Sequence, residues 1–311
     1  IIFKKYLFMR KLTGLLFLFS TINLCANIKK DSLFFMLDST HNSICENDSI
    51  IENDTIKKET LWSSLKYDAR NAANGFLYTF AQPTRWKKKD FLYLGGTILG
   101  TGILYYNDEK ISSFFSKQES NIPHTISEFG FRFGKPQINY GITSSVYLIG
   151  LLSKNEKIRY TGVLMITSAS VSGLLQQTLK TVTGRARPGT ELGHDFFEPF
   201  NGSPSFSSFP SGHTALSVTT CYALSKQFNN PWIKSGFYTL GMISPISRIW
   251  ERAHWASDVF LSTVMSIAIV ESVDSYLKRD KKYNFTSIDN KKKISWNMRI
   301  GYNQIGLIGA F

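Results

Sequence analysis

Six apolar stretches, at residues 91–106, 138–152, 161–179, 213–225, 235–247 and 258–277, fill the middle of this 311-residue chain. None alternates apolar and polar residues as a half-buried strand does, and several carry small residues at helical spacing, such as Gly95-Gly96 and Gly100. The pattern predicts an all-α fold, a helical bundle of about six core helices. A membrane span wants about 20 apolar residues. These stretches are shorter and are interrupted by polar residues such as Gln176-Gln177 and Glu271. Tilted spans in a compact bundle and buried core helices of an exported domain both stay open.

Hydrophobic residues make up 43% of the chain and aromatics 14%, high for a soluble enzyme, while polar ends dilute the mean hydropathy to −0.11. The net charge of +13 calls for a polyanionic partner. No nucleic-acid fold signature is present, and the basic runs flank apolar stretches, so the expected partner is an anionic membrane surface or bilayer rather than nucleic acid. No protein partner is inferred. Cys25, Cys45 and Cys221 form neither a metal-ligand spacing nor a disulfide framework.

Five regions follow from the pattern. Residues 1–26 read as a signal peptide or signal anchor: from Met9 a basic start leads into a short apolar run that ends at Ala26. Residues 27–60 are a polar linker without sustained period. Residues 61–90 form an amphipathic interfacial segment, interrupted at Pro83 and closed by the basic-aromatic run Arg85-Trp-Lys-Lys-Lys89. Residues 91–278 are the helical domain, and 279–311 a basic tail whose last eighteen residues partly alternate as a strand pair would. If all six stretches span a bilayer, the basic loops 85–89, 154–159, 226–234 and 278–293 share one side, which the charge rule makes cytoplasmic. A cleaved leader would invert that order. A fully exported domain and the loop-charge topology both put the far ends of the helices outside the cytoplasm.

Three polar clusters interrupt the apolar middle: Lys180 with Arg187-Pro188, Pro210-Ser-Gly-His213, and Ser247-Arg248 with His254 and Asp258. Three cations, two imidazoles and one carboxylate suit an anion with several oxygens. Arg187 offers a planar fork for two phosphate oxygens, and Lys180 a point charge. Ser211 and Gly212 precede an apolar run, so they predict a helix start whose free N–H groups bind anions. His213 in the first turn can protonate a leaving group. His254 and Asp258, four residues apart, are expected on one helix face, with Asp258 accepting the Nδ1 proton and leaving Nε2 free. The intervening loop 189–209 carries five phenylalanines that either face an acyl chain or pack as a lid.

The full pattern, Lys180-X6-Arg187-Pro188, Pro210-Ser-Gly-His213 and Ser247-Arg248-X5-His254-X3-Asp258, resembles the three-part signature of the type 2 phosphatidic acid phosphatase family. That superfamily also includes bacterial acid phosphatases and vanadium haloperoxidases. The resemblance runs over about 170 residues from Phe91 onward. It implies a metal-independent phosphatase without cofactor, working through a phosphohistidine intermediate on a phosphate monoester or pyrophosphate of a membrane lipid. By position, His254 would be the nucleophile, Asp258 its orienter and His213 the general acid. Lys180, Arg187, Ser211, Gly212 and Arg248 would hold the phosphate. The expected location is a bacterial inner membrane with the site facing the periplasm. The alternatives are a soluble periplasmic acid phosphatase of broad specificity, a vanadium haloperoxidase, and a non-catalytic lipid-binding protein on the same scaffold.

Overall fold

The structure is a computed structural model that describes residues 60–279, 282 and 283, together with the backbone of two strands at 295–301 and 304–310. The expected leader and the linker as far as residue 59 lie outside the described residues.

Eight α-helices follow one another among the described residues: α1 Leu61–Phe80, α2 Lys88–Ser116, α3 His124–Phe133, α4 Pro136–Leu152, α5 Glu156–Thr183, α6 Gly212–Ser225, α7 Pro231–Trp250 and α8 Ala256–Lys278. Their starts follow from local chemistry. The side chains of Thr60, Asn155, Ser211 and Asn230 each accept a backbone N–H from the first turn they precede. Pro136 and Pro231 occupy the first position of α4 and α7, where the missing N–H is no loss.

All six apolar stretches fall in helices, so the all-α expectation holds, and two more helices join them. Helix α1 packs on α5 and α8, and α3 packs on α7. The spacing of Phe129, Phe131 and Phe133 by two hides α3 from a pattern search. In the helix, Phe129 and Phe133 stack one turn apart, at 5.3 Å between centroids. The tail holds an antiparallel hairpin of β1 (Ser295–Gly301) and β2 (Gln304–Ala310), with Ser295 opposite Ala310.

Helix α5 is the axis, packed by α1, α4, α6 and α8. Val163, Leu164 and Val171 on α5 meet Val270, Val273 and Leu277 on α8 in the largest apolar cluster. Much of the remaining interior is small and polar: Ser168, Ser172, Thr219, Ser262 and Ser266 are all buried. Ser266 donates its hydroxyl to the Ala215 and Ser262 carbonyls at 3.1 and 2.8 Å, and Asn139 donates its amide to the Leu216 carbonyl at 3.0 Å. Small residues and interhelical hydrogen bonds hold helices together where the surroundings are themselves apolar.

The outer surface matches that interior. On α2, Leu92 is 76% exposed and Tyr106 80%, with Ile98, Leu99 and Ile103 between them; Trp232 on α7 is 85% exposed. Helices α5 and α8 are long and apolar enough to cross a membrane.

The two ends of the bundle differ. At one end Asp68 pairs with Arg159 at 3.0 Å, both buried, and accepts the hydroxyls of Tyr147 and Tyr283. Beside it Lys226 pairs with Glu271 and Asp274, and Tyr160 donates to Asp274. The 23-residue α8 rises about 35 Å from the opposite end. There the C-terminal turns of α5 and α7 meet the N-terminal turns of α6 and α8.

Candidate active site

Helix α5 carries Lys180 in its last turn and stops at Gly184, which is left-handed with φ of 54°. A Cβ there would lie 1.8 Å from the Glu198 carbonyl oxygen, so only glycine lets loop 184–211 fold back over the helix end. The loop is tied by Ala186 N–H to the Phe196 carbonyl and Arg187 N–H to the Ser205 carbonyl, both at 3.0 Å. Its phenylalanines mostly pack inward. Phe196 meets Phe206 at 5.8 Å, and Phe197 lies near Tyr105 and Arg185, while Phe200 is 72% exposed.

This fold-back sets Arg187 beside the start of α6. Arg187 donates through Nη2 to Ser207 Oγ at 3.2 Å, and its buried Nε has no partner among the described residues. Ser211 caps α6, accepting the hydroxyl of Thr214 at 2.9 Å, which leaves its own hydrogen to donate elsewhere. Gln176 stands directly over Gly212, 2.7 Å from where a Cβ would be. Among the described residues, His213 Nε2 and Gln176 Oε1 are buried and unpartnered, like Arg187 Nε.

Arg248 comes from the last turn of α7. It donates to Ser247 Oγ and to Glu251 Oε1 at 2.8 Å. Its carbonyl accepts the N–H groups of both Ala253 and His254, at 3.0 and 3.1 Å. Arg252 takes a left-handed φ of 54° to make that turn, an uncommon conformation for a residue with a side chain.

Two expectations for His254 and Asp258 need correction. They do not share a helix face, because α8 begins at Ala256 and His254 precedes its cap. Asp258 fixes that boundary: as the third helical residue, its Oδ2 accepts the Trp255 N–H at 2.9 Å, which starts the helix after the histidine. Nor is Asp258 the direct partner of Nδ1. The Ser208 carbonyl is, at 2.6 Å, with Asp258 Oδ2 at 3.8 Å. Asp258 instead accepts the Ser208 hydroxyl at 2.5 Å and, through Oδ1, the Arg185 guanidinium at 2.6 Å. Nε2 of His254 makes no hydrogen bond among the described residues.

Arg185 is the main residue that the sequence reading missed. It is 1% exposed and bridges Asp258 to Asp108 on α2, the second contact at 2.8 Å. It also donates to the His194 carbonyl and lies among Tyr105, Trp255 and Phe197. Asp108 in turn accepts Ser257 N–H at 3.0 Å, at the N-terminus of α8. In the sequence Arg185 is a spacer in the Lys180–Arg187 run, and Asp108 lies 150 residues from Asp258 with nothing to connect them. Ser208 and Gln176 were missed for the same reason.

The predicted site residues therefore meet at one end of the bundle. Burial, followed by the charges of Arg248, His254, Lys180 and Arg187, pushes His213 down to about 3. Burial also pushes His254 down to about 4, against the opposing pull of the nearby Asp258 carboxylate. Both imidazoles are neutral near pH 7, inside a cluster of three cations. Such a cluster favours an anion with several acceptor oxygens, and it offers one free imidazole lone pair and one imidazole that a bound anion would make easier to protonate.

The family model described as PAP2 superfamily matches residues 161–279, which include all eight predicted site residues. Among curated proteins, a lipid A 1-phosphatase of Rhizobium etli is 34% identical over 106 residues, 33% of this chain and 44% of that protein. A lipid A 1-phosphatase of Porphyromonas gingivalis is 38% identical over 66 residues, 21% of this chain and 15% of that protein. The chain thus spans less than half the length of these relatives. The crystal structure of Aquifex aeolicus LpxE is similar over 52% of this chain and 93% of that one, at 20% identity and a TM-score of 0.40.

Proposed function

The chain belongs to the PAP2 superfamily through residues 161–279, and from that premise we propose that it is a phosphatase of a membrane lipid phosphate, acting through a phosphohistidine without a metal. The observation that carries the reading is the convergence of Lys180, Arg187 and Arg248 on two neutral histidines, the buried His254 and the half-buried His213. The cations and the α6 N-terminus would hold the non-reacting phosphoryl oxygens. His254 Nε2 would form the new bond to phosphorus as the bond to the leaving oxygen breaks. His213 would give that oxygen its proton, then take one from the water that cleaves the phosphohistidine and releases inorganic phosphate.

The lipid assignment is supported by the apolar outer face of α2 and α7 and by the small, polar helix interfaces. Membrane association follows, with Lys226 and Lys278 at the end of the bundle opposite the site. That charge placement favours a site facing the periplasm. Among phosphatidic acid, phosphatidylglycerol phosphate, undecaprenyl pyrophosphate and a lipid A phosphate, the names of the relatives favour the last.

The test is phosphate release by the purified protein from each of these lipids, with EDTA present. We expect EDTA-insensitive turnover, an acid-labile phosphoenzyme, and loss of both in His254→Ala at unchanged helical content. Wild-type turnover in that variant would refute the mechanism, and inhibition by EDTA would refute its metal independence.

A further inference from the structure

The two histidines are held in different ways. His254 is fixed by a hydrogen bond from Nδ1 to the Ser208 carbonyl. Among the described residues no hydrogen bond holds the His213 ring, and its Nε2 is buried without a partner. An imidazole attached only through its own Cα–Cβ and Cβ–Cγ bonds can turn about its second torsion, which is broad for aromatic rings. A proton donor needs a fixed plane, because transfer depends on distance and alignment.

Helix α3 supplies the missing constraint. The Phe131 ring stacks on the His213 ring, with centroids 5.5 Å apart and planes at 16°. The Arg248 guanidinium lies 5.0 Å from the centroid of the same phenyl ring, and Lys135 Nζ lies 4.1 Å from it. Two glycines bring α3 this close. A Cβ on Gly130 would stand 2.5 Å from Ser247 Oγ, and one on Gly134 would stand 2.5 Å from Ser244 Oγ and 2.6 Å from His213 Cβ. The backbone of α3 is thus seated against α7 and the α6 start, with the Phe131 ring near both His213 and two cationic groups. Residues 124–135 lie outside the segment matched to the family and outside the three clusters.

We propose that Phe131 is a positioning residue for His213, setting the plane from which its Nε2 protonates the leaving oxygen. The inference rests on the reading of His213 as proton donor. A flat π face supports the ring in its neutral form and, through its quadrupole, in the protonated form that precedes transfer. It also keeps Arg248 aligned toward the same space.

Leaving-group dependence separates this role from a merely structural one. An alkoxide needs its proton as the P–O bond breaks, whereas p-nitrophenolate leaves without one. The measurement is kcat/KM for p-nitrophenyl phosphate and for dioctanoyl phosphatidic acid in wild type, Phe131→Leu, Phe131→Tyr and His213→Gln, with the thermal midpoint of each. In Phe131→Leu we expect the alkyl ester to lose about tenfold or more and the aryl ester less than about threefold. His213→Gln should show the same bias more strongly, and Phe131→Tyr should behave as wild type. Equal losses on both esters, or no loss on either, would overturn the inference while wild type and His213→Gln behave as expected. A wild type inactive on both esters and on each of the four lipid phosphates named above would instead overturn the phosphatase reading.

Discussion

Nδ1 of His254 faces the backbone carbonyl of Ser208 at 2.6 Å, while the carboxylate of Asp258 stands 3.8 Å away. A carbonyl only accepts, so Nδ1 must carry the proton and Nε2 the lone pair. Asp258 reaches the histidine indirectly, by accepting the Ser208 hydroxyl, capping α8 and pairing with Arg185. The carboxylate therefore holds the segment that holds the histidine.

Ser208→Ala keeps the carbonyl and removes the hydroxyl link to Asp258. It should lower kcat by about tenfold with little change in stability. In a double-mutant cycle with Asp258→Asn, activity should show a coupling of about 1–2 kcal/mol. Strict additivity would mean that Asp258 acts by another route.

Depressed histidines make stability depend on pH. His213 and His254 bind protons in the unfolded chain below pH 6.5 but in the folded chain only near 3 and 4. The unfolded state therefore takes up more protons between those limits, and their contribution, complete above about 6.5, declines as pH falls toward 4. The thermal midpoint should fall over that window, and less steeply in His213→Gln. Inorganic phosphate should oppose the fall, since a bound anion favours imidazolium. Equal slopes in wild type and variant would show that His213 is not depressed.

Arg185→Met would leave Asp108 and Asp258 buried and facing each other without their shared cation. The expected destabilisation is about 3–5 kcal/mol, read as a lowered denaturation midpoint. Arg185→Lys should recover little of it, because one ammonium cannot replace the fork that spans both carboxylates. A midpoint near that of wild type for Arg185→Met would show that the carboxylates find other partners.

Gly184→Ala places a methyl group against the Glu198 carbonyl in a left-handed backbone. It should cost about 1–3 kcal/mol and weaken phosphate binding, since the same turn carries Arg187 into the site. Thermal midpoints and inhibition by phosphate would check both effects. Neither shifting would mean that the loop relaxes freely.

The sequence by itself determined the helical character of residues 91–278, because small residues at helical spacing and apolar stretches without alternation leave a strand nowhere to form there. It also pointed to the residues that gather at one end of the bundle, since Lys180, Arg187, His213, Arg248 and His254 all lie at the borders of apolar stretches and Ser211 with Gly212 marks a helix start. Hydrogen-bond partners were a different matter. The i, i+4 spacing of His254 and Asp258 suggested a direct bond, but the cap that Asp258 makes starts α8 two residues after the histidine. Arg185, Asp108, Ser208 and Phe131 were silent in the sequence because their roles depend on contacts between segments 50 to 150 residues apart. Which segments those are is decided by helix packing, which brings the ends of α2, α3, α5, α6, α7 and α8 to one place, and no local pattern encodes that distance.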